Sequence, residues 1–226
     1  ALGFIFLDSN GALITYSFEN LSKIHSYELP NSLQKKIQNC SFFAINDVLN
    51  PLCGPLGAAN IYGPQKGGSE ETILAMDGSF EAFVCRFNFP YPCDISLEGG
   101  GAAGGTAYGL KAFLNAQFIN GFDFLASIAC LEDLLVTQKY DCIISGEGSL
   151  DNTSFQGKLL GRLIDLTEKH QLPLLLVCGQ CHFDASALTN THIVELLDEE
   201  TPIAQCIAQP FALIENKVYH FFKFLL

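Results

Sequence analysis

Apolar and polar positions are organised differently in the two halves of this 226-residue chain. The second half has an α/β rhythm. Residues 141–145, Asp-Cys-Ile-Ile-Ser, form a short apolar run ending in glycine, the pattern of a buried parallel strand. Leu159, Leu160, Leu163, Ile164 and Leu166 then recur at helical spacing, and Pro173 stops the helix. Residues 174–177 predict a second buried strand, closed by Gly179, and residues 192–196 a third. Thr201 as N-cap and Pro202 at the first helical position open a last helix. Its expected apolar face is Ile203, Ile207, Phe211, Ile214, Val218 and Phe221, with a kink at Pro210. Strand, helix, strand, strand, helix is one side of a Rossmann-like sheet.

The first half is less regular. Residues 4–7 and 42–45 read as strands, and residues 31–38 and 70–83 as helices. A stretch rich in Gly, Pro and Asn runs over 50–68, and a glycine cluster over 99–105 precedes helical spacing through Tyr108, Leu110 and Phe113. The fold expected is α/β, with two α/β subdomains. Residues 1–105 form a substrate and phosphate-loop subdomain, and residues 106–226 a Rossmann-like subdomain with a mainly parallel sheet.

Composition narrows the function classes. With 49% hydrophobic and 16% charged residues the chain is globular rather than disordered. No apolar run reaches the roughly 18–20 residues of a membrane span. A formal net charge of -12 repels phosphate backbones and anionic lipid, which argues against nucleic-acid and membrane partners. A small anionic substrate stays compatible where a few lysines gather. Nine cysteines, an odd number and mostly in apolar context, fit a reduced cytoplasmic protein. Cys178-Gly-Gln-Cys181 with His182 has metal or redox spacing, but lacks a second pair and reads better as buried thiols. No basic region followed by an apolar stretch opens the sequence, so no signal peptide is visible in it, and a start at Ala1 without Met reads as processed, truncated or cut from something longer.

Three segments carry candidate chemistry. In the first, Asp47 follows the strand at 42–45, Asn50 lies three residues on, and Lys66 sits among glycines at 63, 67 and 68. Polar groups at the C-terminal end of a strand are where open α/β sheets place ligands, and a lysine supplies a point charge for phosphate or carboxylate. A plain Gly/Pro/Asn loop is the competing reading. The second segment is the run 99–105, with Gly101, Gly104 and Gly105 leading into a helix, where free amides and the helix dipole attract anions. It is neither a Walker A sequence nor a dinucleotide fingerprint, and close helix packing competes as an explanation. The third places Glu147 and Asp151 just past a buried strand, with Lys158 opening the next helix. Carboxylates there suit Mg²⁺ ligation or proton abstraction from a hydroxyl, and a lysine suits a transferring phosphoryl group.

Taken together, four runs resemble the glycerate kinase family that includes the bacterial glycerate 2-kinases, in the family's order and at about its spacing. They are Asp47-Val-x-Asn50-Pro51-Leu-x-Gly54, Gly63-Pro64-Gln65-Lys66-Gly67, Gly101-Ala-Ala-Gly-Gly105 and Gly146-Glu147-Gly148-x-Leu-Asp151. The opening residues 1–8 are also similar to a family segment, so the likeness covers essentially the whole chain. The resemblance implies ATP-dependent phosphorylation of D-glycerate with Mg²⁺, giving 2-phosphoglycerate. On that basis Asp47 or Asp151 accepts the hydroxyl proton, and Glu147 or Asp151 helps hold Mg²⁺. Lys66, Lys158 and Asn50 bind substrate carboxylate or phosphates, and Gly101, Gly104 and Gly105 cradle phosphate oxygens. Three departures stand out. Ser149 replaces the family's usual Arg, Thr153 its Gln, and the family's further N-terminal segment with a Gly-Gly-Ser motif is absent. These departures motivate the alternative of a non-catalytic remnant or fragment that binds ligand without turnover. A nicotinamide-dependent oxidoreductase is disfavoured by the missing fingerprint.

Overall fold

The computed structural model describes residues 2–151, 159–182 and 188–225, the side chains at 18, 19, 224 and 225 excepted. They divide into two compact units, residues 1–121 and 122–226. The expected division at 105/106 falls inside the first unit, because the chain beyond it returns to a strand of that unit.

In the first unit β1 (Ile5–Leu7) pairs antiparallel with β2 (Ser26–Glu28). Helix α1 (Asn31–Gln38) leads to β3 (Phe43–Ile45). After α2 (Ala58–Tyr62) comes α3 (Glu70–Arg86), then α4 (Ala102–Leu114) and β4 (Gln117–Ile119), which pairs in parallel with β3. Local chemistry sets the ends of α3. Ser69 Oγ accepts from the Thr72 amide at 3.2 Å, Glu70 and Glu71 occupy the positive end of the dipole, and Arg86 the negative end. The core is aromatic. Phe83, Phe87, Phe89 and Tyr108 are buried with Leu52, and the Phe83–Phe87 and Phe87–Phe89 ring centroids are both 4.8 Å apart.

The second unit holds α5 (Gly121–Ile128), α6 (Leu131–Thr137), β5 (Ile143–Leu150), α7 (Leu159–His170), β6 (Leu174–Cys181), β7 (Thr191–Glu195), α8 (Ile203–Ala208) and α9 (Pro210–Leu225). Strands β5, β6 and β7 form a parallel sheet in that order. Alternation along β6 explains why both faces are covered. Leu174, Leu176 and Cys178 enter one core with Leu160, Leu163 and Ile164 of α7, while Leu175 and Val177 enter a second with Leu213, Val218 and Phe221 of α9. This is the expected Rossmann-like α/β arrangement with a parallel sheet.

Two expectations are corrected. Strand β5 does not stop at residue 145 but continues through the glycines to Leu150, and β6 likewise runs past Gly179. The glycines allow it. A Cβ at Gly179 would lie 2.5 Å from the Gly148 carbonyl oxygen. The single kinked C-terminal helix is two helices, with Pro202 rather than Thr201 as N-cap and a break at Gln209 (φ -135°, ψ 48°). The break changes the helical phase, so Ile207 and Phe211 are left 76% and 87% exposed while Val218 and Phe221 stay in the core.

A cation ties α9 to the end of β7. Lys217 Nζ donates to the carbonyls of Glu195 and Leu196, both at 2.9 Å, and to the Asp198 carboxylate. That ammonium, with the Thr201 hydrogen bond at 2.8 Å, lowers the Asp198 carboxyl from 3.8 to about 2. A depressed carboxyl stabilises the fold above its unfolded value and ceases to do so as pH falls through the folded one. The thermal midpoint of the wild type is therefore expected to exceed that of Asp198→Asn above about pH 4. The gap should close between about pH 4 and about pH 2. A gap that is constant over that window would remove Asp198 from the acid response.

Candidate functional site

The loop after β3 and the glycine turn before α4 are stitched into one structure. Asn46, the first residue past β3, accepts from the Val48 amide and donates to the Gly99 carbonyl, both at 2.9 Å. The Gly99 amide reaches the Leu49 carbonyl at 3.1 Å and the Gly101 amide the Asn50 carbonyl at 2.8 Å. Contact is close enough to demand glycine. A Cβ at Gly101 would overlap the Pro51 carbonyl oxygen, and one at Gly105 would lie 2.6 Å from Leu52 Cδ1. Ala103, Gly104 and Gly105 all adopt left-handed backbone (φ 49°, 67° and 90°), so regular helix begins only after them.

Several candidate groups are already engaged. Asn50 Nδ2 donates to the Leu56 carbonyl at 3.0 Å and its Oδ1 accepts from the Tyr62 hydroxyl at 2.8 Å, which makes it a loop brace. Asp47 is exposed and accepts from the Gly121 amide at 2.6 Å. The Gly101 amide is spent on the Asn50 carbonyl at 2.8 Å and the Gly105 amide on the Gly101 carbonyl at 3.3 Å. Of the three glycines expected to cradle phosphate, Gly104 alone has an amide with no partner among the described residues. Gly54 is braced as well: its amide donates to both carboxylate oxygens of Asp77 at 3.1 Å, and its carbonyl accepts from Asn60 at 2.9 Å. Burial, aided by Asp77, Glu81 and Cys85, pushes the neighbouring Cys53 thiol up to about 12, so this loop offers no thiolate at neutral pH.

Lys66 ends a 3-10 turn (Pro64–Lys66) that Gly67 closes with φ 80°. Its ammonium is exposed and has no partner among the described residues. Lys66 and Gly104 line the same cavity of ≈ 260 Å³, together with Ala58, Tyr62, Ile73 and Phe80. The structure thus brings together two groups, an ammonium and a backbone amide, that the sequence places almost forty residues apart.

In the second unit Glu147 and Ser149 sit within β5, opposite Cys178 and Gln180 of β6, and Asp151 directly follows the strand. Glu147, Ser149 and Asp151 are exposed, while Leu150 is fully buried in the core that holds Cys178 and Leu160. Glu147 and Asp151 lie four residues apart, and each offers a carboxylate oxygen. That suffices for Mg²⁺, which commonly takes one or two carboxylates and completes its shell with phosphate oxygens and water. Among the described residues no group of three or more His, Cys, Asp and Glu is placed to hold a metal. Burial pushes the Cys178 thiol up to about 12, as expected of a core residue. Lys158 and Thr153 lie outside the described residues. Asn46, Asn60 and Asp77 escape sequence reasoning because no spacing rule links them to the glycines that they hold, and none links Tyr62 to Asn50.

Comparison with known proteins gives a consistent result. The model of the glycerate kinase family matches residues 1–226. A glycerate 2-kinase from Escherichia coli K12 is 30% identical over 191 residues, covering 83% of this chain and 49% of its own. A glycerate kinase from Bacillus subtilis 168 is 29% identical over 189 residues with the same coverages, 83% and 49%. A crystal structure from Salmonella typhimurium LT2 described as a glycerate kinase 2 aligns with a TM-score of 0.63 at 25% identity, over 100% of this chain and 60% of that one. The chain therefore spans between 49% and 60% of the length of these relatives. Among the described residues no helix is long and apolar enough to cross a membrane.

Proposed function

Because the chain belongs to the glycerate kinase family, we propose that it serves the ATP-dependent phosphorylation of D-glycerate, with 2-phosphoglycerate as product. The observation that carries this reading is that the Lys66 ammonium and the Gly104 amide, both without a partner among the described residues, line one cavity. An ammonium and a backbone N–H at a left-handed glycine suit phosphate oxygens, the first as a point charge and the second as a fixed dipole.

Each residue then has a definite task. Lys66 and Gly104 bind and orient phosphate oxygens, offsetting charge that builds up as the phosphoryl group moves. Asp151 accepts the proton of the substrate hydroxyl while that oxygen bonds to the γ-phosphorus, the bond to the β–γ bridging oxygen breaks and ADP departs. Glu147 is the carboxylate assigned to Mg²⁺, which supplies charge neutralisation on the nucleotide phosphates. Asp47 and Asn50 act through the loop: one holds the Gly121 amide and the other fixes the turn that Gly101 touches.

A coupled ADP-release assay with D-glycerate, ATP and Mg²⁺ tests the reading. ADP is expected only when all three are present, with 2-phosphoglycerate identified by NMR. A second reading, ligand binding without turnover, is motivated by Ser149, which stands in β5 where the resemblance expects an Arg. Bound ADP without turnover, in this chain and in a version extended to the relatives' length, would establish that second reading instead.

A further inference from the structure

The walls of the Lys66 cavity carry information about which part of a ligand enters it. Its buried liners, Ala58, Ala59 and Ile73, present only carbon, and Met76 and Phe80 add a thioether and a ring from the same side of α3. Tyr62 contributes its ring, because its hydroxyl donates to Asn50. The exposed liners, Lys66 and Gly104, bring the charge and the free amide. The cavity thus has a carbon interior and a cationic, hydrogen-bonding margin.

A small hydroxy acid fits that interior poorly. D-Glycerate carries a carboxylate and two hydroxyls on three carbons, and each would lose water without gaining a partner among Ala58, Ala59 and Ile73. A purine has two apolar faces that pack on thioether and aromatic surfaces. The volume of ≈ 260 Å³ also lies below the roughly 300–1,000 Å³ of pockets for drug-sized ligands, which suits a bicyclic ring better than a whole nucleotide. We propose that this cavity seats the nucleobase of the phosphoryl donor, with Lys66 and Gly104 meeting the phosphates that trail from it. The proposal rests on the kinase reading above and specifies which substrate the first unit holds.

The chain has no tryptophan, so Met76→Trp puts a single indole in the cavity wall. Adenosine and ADP are expected to change its emission, and D-glycerate is not. Adding Lys66→Met should weaken ADP at least tenfold and leave adenosine unchanged. A response to D-glycerate but not to adenosine overturns the proposal. Should the indole itself fill the space, calorimetry of the unsubstituted chain will show ADP at least tenfold tighter than in the variant. Equal affinities with no emission change also overturn it. The two readings fail separately: adenosine binding here without turnover sinks only the kinase assignment, and turnover without adenosine in this cavity sinks only the present one.

Discussion

Replacing Asp151 with Asn is expected to reduce turnover of D-glycerate by about 10²–10⁴-fold, the usual contribution of a positioned general base. The change removes a proton acceptor and preserves shape. Asp151 is exposed just beyond β5. Leu150 is fully buried, and its carbonyl accepts from the His182 amide at 2.8 Å. A thermal melt of the variant separates loss of the base from loss of the fold. Measuring kcat and KM separately tests the role: the variant should lose kcat while KM for D-glycerate changes little. Wild-type turnover in Asp151→Asn would transfer the base role to Asp47, the other carboxylate that the motifs offer.

The largest effect on stability is expected from Gly101→Ala. Gly101 has an ordinary φ of -74°, so backbone conformation is not the obstacle. Its added Cβ would overlap the Pro51 carbonyl oxygen and lie 2.9 Å from that of Asn50, both rigid backbone atoms. Relief requires the loop after β3 to move off the glycine turn, at the cost of the 2.8 Å Gly101–Asn50 hydrogen bond. Overpacking of this kind costs about 1–3 kcal/mol, and ADP affinity should fall with it, because Gly104 rides on the same turn. Gly104→Ala is the control. Its Cβ would meet nothing within 4 Å, and only the left-handed φ of 67° opposes it, costing about 1–2 kcal/mol. Urea unfolding of both variants gives the comparison, and a Gly101→Ala chain as stable as wild type would refute the close-approach account.

Regular periodicity was legible in the sequence and pairing was not. Helix α1 spans the expected 31–38, β6 follows from an apolar run buried from Leu174 to Cys178, and α7 from apolar residues at helical spacing. The three-residue strands β2 and β4 escape such reasoning. Ser-Tyr-Glu and Gln-Phe-Ile acquire their identity from partners at 5–7 and 43–45. Glycine was misread at β5 because it marks turns more often than it marks close strand contact, yet here it carries Glu147 into the sheet. At the candidate site the motifs were legible as segments, while their division of labour was not. Nothing in Asn46 or Asp77 announces a bond to Gly99 or Gly54, and Ala103, an L-residue at φ 49°, gives no hint of left-handed backbone.

The parallel pairing of β3 with β4 also bears on how the chain acquires its structure. Residues 43–45 must find residues 117–119 across the whole of α2, α3 and α4, whereas β5 meets β6 after a single helix. Loop-closure entropy rises with the length enclosed, and non-local pairings slow folding. The amino-terminal unit therefore has the later-forming register, even though it leaves the ribosome first: its nascent helices wait with an exposed strand until Gln117–Ile119 emerges.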